Sequence, residues 1–99
     1  MRVRFTPRAQ RRADLVAKWW RDNRPDAADL FDHELADVKE KLAGDPNPGI
    51  RYATVLGVVV YRVLLARTQQ HVYFSMDEQT DTRIVHSVWG ARRGRGPQL

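Results

Sequence analysis

Residues 45–49, "DPNPG", divide this chain into two textures and constrain its fold more than any other stretch. Two prolines there remove backbone donors and forbid helix, and the glycine suits a turn. Before the break, apolar residues recur at helical spacing. After it come β-branched and aromatic runs of strand length.

In the first half, "RVRFT" alternates, with Val3 and Phe5 on one side and Arg2 and Arg4 on the other, which predicts a short strand with one wet face. Thr6 is placed to cap a helix whose first position is Pro7, where a missing N–H costs nothing. Ala9, Ala13, Val16 and Trp20 then mark its apolar stripe, widened by Leu15 and Trp19. Pro25 ends this helix and a second is expected from Asp26, because Asp26 and Asp29 complement the positive end of a helix dipole. Ala27 or Ala28, Phe31, Leu35, Val38 and Leu42 form its stripe, and Gly44 terminates it. So short a link implies an antiparallel hairpin.

In the second half, "IRYATV", "VVVYRVLLA", "HVYFSM" and "TRIVHSVW" are four strand candidates, separated by Gly57, "RTQQ" and "DEQTD". The order β-α-α-β-β-β-β with short connections predicts a two-layer α+β fold, the helical hairpin packed on a mainly antiparallel sheet. Residues 1–99 make one domain, since this length supports a single core. "VVVYRVLLA" and "VWGA" are apolar at consecutive positions, so both sheet faces want cover. One hairpin protects only one face, and the other is expected to bind something. The last strand should run through Trp89, with a loose tail from about Gly94.

Charge is segregated. Residues 1–21 hold seven Lys/Arg against one acid, residues 22–45 three against eight, and residues 46–99 seven against three, for a net +5. A basic face beside an acidic one favours a phosphate-bearing or acidic partner. The absence of cysteine excludes thiol chemistry and thiolate metal sites. The charged N-terminus and the interrupted apolar stretch from Tyr52 to Ala66 argue against a signal peptide or membrane span and for a cytoplasmic protein. No standard enzyme motif occurs, and His33, His71 and His86 lack ligand spacing, so neither metal nor cofactor is expected. What remains is a set of cations at strand ends, Arg62, Arg67, Arg83, Arg92, Arg93 and Arg95, with Tyr61, Tyr73 and Trp89 among them. Guanidinium groups grip phosphate and rings accept base faces, so the set suits nucleic acid, although strand aromatics more often fill cores.

The element order, the hairpin "WWRDNRPDAADLFDHELADVKEKLAGDPNPG", the strands "YRVLLART" and "HVYFSMD" and the closing "VWGARRGRGP" resemble the RelE/ParE superfamily of bacterial toxins over nearly the whole chain. The resemblance implies a toxin held inactive by a cognate antitoxin that wraps it, with operator DNA bound only through that complex and no membrane partner.

Two mechanisms divide the superfamily. RelE-like members cut mRNA on the ribosome, and their basic residue after the strand tyrosine is matched here by Arg62, following Tyr61. A lysine two positions on falls on Leu64, an arginine becomes His71, and the arginine closing the final strand is matched by Arg92. The tyrosine typical after it is missing. His71 can serve as acid or base, its unperturbed pKa lying near 6.5. ParE-like members poison DNA gyrase by binding, without catalytic residues of their own. The incomplete nuclease set and the acidic second helix favour that branch, with Arg67, Trp89, Arg93 and Arg95 as contacts to a partner or nucleic acid. An mRNA endoribonuclease using Arg62, His71 and Arg92 is the alternative, and a non-toxic nucleic-acid-binding module a second.

Overall fold

The computed structural model describes residues 1–99 and has the expected element order. Strand β1 (Arg2–Phe5) leads into helix α1 (Pro7–Asn23), a 3-10 turn (Pro25–Ala27) and helix α2 (Leu30–Gly44). Strands β2 (Ile50–Val55), β3 (Val58–Leu65), β4 (Gln70–Asp77) and β5 (Thr82–Gly90) follow. They form one sheet in the order β1-β5-β4-β3-β2, antiparallel except where β1 runs parallel to β5 at the edge. No helix is long and apolar enough to cross a membrane.

Helix α1 begins as its sequence dictates. The Thr6 hydroxyl accepts from the Ala9 N–H at 3.0 Å, and Pro7 holds the first position. Ala9, Ala13 and Ala17 are buried, and small side chains there let the helix lie close over β5. Val16 and Trp20 pack at the margin of the core. Leu15 and Trp19, expected inside, stand 58% and 48% exposed. The alanine row is the face turned to the sheet, so a stripe widened through positions 15 and 19 runs past the sheet into solvent.

The second helix also departs from expectation. It starts at Leu30 rather than Asp26, because the chain after Pro25 closes a 3-10 turn first, with the Ala27 N–H donating to the Arg24 carbonyl at 3.0 Å. Asp29 holds the cap position through its backbone, with no side-chain cap bond. Phe31, Leu35, Val38 and Leu42 are buried as the spacing predicts, against Val63, Leu65, Val72, Phe74, Val85 and Val88 of the sheet.

Two side chains fasten α2 to the sheet. The Glu34 carboxylate accepts from the Arg67 N–H at 3.0 Å, the Thr68 N–H at 2.9 Å and the Thr68 hydroxyl at 2.7 Å, closing the β3–β4 turn. Arg83, only 5% exposed, donates to the carbonyls of Leu42, Asp45 and Pro46 at 2.8, 2.6 and 3.1 Å. It thereby satisfies acceptors that a helix C-terminus leaves orphaned. Arg83 is therefore not one of the free strand-end cations it was grouped with. At Gly49, φ is +72° and an added Cβ would lie 2.4 Å from the Arg62 carbonyl oxygen, so glycine is required where the chain enters β2.

The sheet carries two bulges. Between β2 and β3 the register passes from Arg51↔Tyr61 to Ala53↔Val60, leaving Tyr52 as the extra residue. Between β4 and β5 it passes from Tyr73↔Ser87 to Phe74↔Val85, leaving His86 extra. A bulge bends its strand and re-aims the side chain that it frees. Both act on the sheet face away from the helices. That face mixes aliphatic residues, Val58, Val60, Leu64 and Ile84 among them, with Tyr52, Arg62, His71, Tyr73, Ser75 and Trp89, so the apolar surface expected from the aliphatic runs is there but shared with polar and aromatic side chains.

Candidate functional site

On the helix-free face, Tyr52, Arg62, His71, Tyr73, Trp89, Arg93 and Arg95 line a cleft of about 150 Å³ at the end of the sheet where β5 runs into the C-terminal segment. Cross-strand pairing builds its floor. Arg62 lies opposite Tyr73, and His71 lies opposite Leu64 on one side and Trp89 on the other. The freed Tyr52 packs edge-on against Tyr73, ring centroids 4.8 Å apart, and takes the Arg62 guanidinium over its face at 4.9 Å. His71 meets Tyr73 edge-on at 5.9 Å. Tyr73 is fully buried beneath these groups.

The segment after β5 closes the far wall and is not loose from Gly94 as expected. The Trp89 indole N–H donates to the Arg95 carbonyl at 2.9 Å, and the Gly96 backbone lies so close to the Tyr52 hydroxyl that a Cβ would fall 2.2 Å from it. A side chain at position 96 would have to displace the Tyr52 hydroxyl. Arg93 folds back over the Trp89 ring at 4.3 Å from its centroid.

Every charged side chain lining the cleft is basic. The one side-chain ion pair of the chain joins Lys18 to Asp22, on α1. Burial, and then the nearby charge of Arg62, lower the pKa of His71 below its ordinary 6.5, so its imidazole is neutral at pH 7. The arrangement offers guanidinium groups to an anion, aromatic surface beside them, and one neutral imidazole able to accept a proton. No group of three or more His, Asp or Glu side chains is placed to hold a metal ion.

Of the residues read from the sequence, Arg62, His71, Trp89, Arg93 and Arg95 come together in this cleft. Arg92 is exposed and does not line it; its neighbour Arg93 does. Arg67 is exposed at the β3–β4 turn, away from the cleft. Tyr52 was missed, since nothing in "IRYATV" shows that a bulge turns it inward. His86 lies on the same face, bonded to the Ser75 hydroxyl at 2.7 Å, with its pKa lowered by burial and then by Arg4.

The helical hairpin on one face of a β1-β5-β4-β3-β2 sheet is a fold already seen among solved structures. Among solved structures, the chain is similar to one from the chromosomal ParDE TA system from P. aeruginosa, with a TM-score of 0.73 and 16% identity over 93% of this chain and 97% of that one. It also aligns with a chain of the intact E. coli RelBE toxin-antitoxin complex, with a TM-score of 0.44 and 18% identity over 93% of this chain and 98% of that one. No protein-family model matches the sequence, and neither does any curated protein.

Proposed function

We propose that this chain is the toxin of a type II toxin–antitoxin pair, neutralised by a cognate antitoxin, and that it acts in the ParE manner by binding DNA gyrase. The observation that carries the reading is the fold agreement with the ParDE chain, at a TM-score of 0.73 across 93% of the sequence. The cleft supports binding over catalysis. Cutting RNA at a ribose 2′-hydroxyl calls for a base on the hydroxyl and an acid on the leaving oxygen. His71 is the one lining side chain whose ordinary pKa lies near neutrality, and no carboxylate accompanies it. The C-terminal segment also crosses the cleft wall, bonded at Trp89. On this reading Arg62, Arg93 and Arg95 meet acidic surface on the target, where charge sets orientation and encounter rate.

A second reading, ribosome-dependent mRNA cleavage, is favoured by one observation: Arg62 and His71 share a cleft, with Arg93 in the place expected of Arg92. There Arg62 and Arg93 stabilise charge on the scissile phosphate and neutral His71 takes the 2′-hydroxyl proton. Induced expression read out by plasmid supercoiling and mRNA integrity together separates the two. Loss of supercoiling with intact mRNA is expected. Ribosome-bound cleavage that disappears in His71→Ala, with supercoiling untouched at micromolar protein, would overturn the gyrase reading.

A further inference from the structure

Residues 94–99 are held against the cleft by very little. The bond from the Trp89 indole to the Arg95 carbonyl, 2.9 Å long and exposed, is the only hydrogen bond they make within the protein. None of them is buried or joins the core. An added Cβ at Gly94 would meet nothing within 4 Å, so the backbone is free to pivot where the segment begins. A chain end is ordered only by what ties it down, and here the tie is a single bond.

What the segment touches is the part of the cleft with chemistry to offer. Gly94, Arg95 and Gly96 line it together with Tyr52, Arg62 and His71. Gly96 lies on the Tyr52 hydroxyl, and the Tyr52 ring is itself pinned, edge-on to Tyr73 and beneath the Arg62 guanidinium. With the segment in place the cleft measures about 150 Å³. Sites that take organic ligands run from about 300 to 1,000 Å³, so the closed cleft has room for little more than a small ion. Charge opposes that closure. It brings Arg95 to a cleft that already holds Arg62 and Arg93, and no carboxylate lines it. One exposed bond set against like-charge repulsion leaves the closed and open arrangements close in free energy, so a ligand that prefers one can shift the balance.

We propose that residues 94–99 are a strap by which the chain closes its own cleft, pivoting at Gly94, and that a target is engaged only after the Trp89–Arg95 bond opens. Opening bares the Tyr52 hydroxyl, Arg62 and His71. Arg93 precedes the pivot and stays over the Trp89 ring, 4.3 Å from its centroid. The opened cleft therefore keeps Arg62 and Arg93 in place for an anionic group and carries Arg95 on a free arm. The inference rests on the function proposed above only for the identity of the target.

The test is nuclear magnetic resonance of the full chain, with Gly96→Ala and Trp89→Phe as variants. The new methyl of Gly96→Ala meets the pinned Tyr52 hydroxyl, so the weakly held strap gives way. Trp89→Phe keeps a ring for the arginines and removes the strap's one donor. In the wild type the Trp89 indole N–H should exchange with solvent more slowly than that of the exposed Trp19, and Gly96→Ala should abolish the difference. Inorganic pyrophosphate, titrated at the His71 ring resonances, should bind both variants about three- to tenfold more tightly than wild type, the range by which one exposed hydrogen bond favours the closed form. Fast indole exchange in the wild type would refute the closure. So would equal or weaker pyrophosphate binding by both variants with strand amide resonances unchanged, which would make residues 94–99 part of the binding surface. Where Gly96→Ala disturbs those resonances, Trp89→Phe decides. A chain that gains pyrophosphate affinity in this way yet arrests no growth would sink the toxin reading and leave the strap standing. Growth arrest with lost supercoiling, and no gain in affinity, would do the reverse.

Discussion

Arg83 and Arg62 sit on neighbouring parts of one sheet and have the same side chain, yet they face opposite chemistries. Arg83 points to the helix side, is almost wholly buried, and spends its donors on the carbonyls of Leu42, Asp45 and Pro46. Arg62 points to the other face, half-buried against Tyr52, with Arg93 and Arg95 lining the same cleft and no acid among them. One guanidinium is satisfied by the fold; the other leaves its charge on offer. Burying a charge is tolerated only where acceptors surround it, so an arginine with three carbonyl acceptors is architecture, and arginines gathered without a counter-charge are candidates for meeting an anion.

Substitution should separate the two. Arg83→Met keeps bulk but leaves the buried Leu42 carbonyl and the part-buried Asp45 and Pro46 carbonyls without their donor, and should cost about 2–3 kcal/mol in urea unfolding. Arg62→Ala and Arg93→Ala should change stability by no more than about 0.5 kcal/mol while weakening target inhibition about tenfold or more. If Arg62→Ala unfolds the chain as readily as Arg83→Met, the distinction collapses. Glu34 tests the mirror case of a carboxylate satisfied by three donors. Glu34→Ala should cost about 1–2 kcal/mol, seen as a lower melting temperature and faster amide exchange at Arg67 and Thr68.

The smallest effect is on pH. His71 and His86 both have folded pKa values below the ordinary 6.5, so between those values and 6.5 the unfolded chain binds more protons than the folded one. Stability should be flat with respect to these groups above about pH 6.5, fall as the pH drops below it, and level off beneath the folded values. Urea midpoints at about pH 7.5 and about pH 5.5 should therefore differ, and the difference should shrink in His71→Gln and His86→Gln. A difference unchanged by both substitutions would assign it to other groups.

Much of the fold was legible because local chemistry and global packing agree. Thr6 and Pro7 start α1, Gly44 and "DPNPG" end α2, and the strand runs were found where pattern placed them. The second helix started late because a 3-10 turn intervened, which no periodicity encodes. Leu15 and Trp19 were misplaced because helical spacing gives the width of an apolar stripe but not the width of the surface it meets. The site was legible as residue types and not as partners. Alternation assigns faces only while the register holds, and the bulges that free Tyr52 and His86 shift it by one residue. Whether position 92 or 93 reaches the cleft depends on how the chain leaves Gly90, where the Arg93 N–H donates to the Gly90 carbonyl at 3.3 Å.

The placement of β1 has a consequence in time. Residues 2–5 pair with residues 82–85 and with no other strand, so β1 waits for the strand that follows all the others of the sheet in the sequence. Local hairpins from β2 to β5 can close early, but the parallel edge closes a loop spanning most of the chain and carries the entropy of doing so. The Thr6 N–H also bonds the Val85 carbonyl, so the start of α1 is anchored in the same event. A nascent chain therefore lacks its finished sheet, and with it the floor of the cleft, until the β5 residues exist.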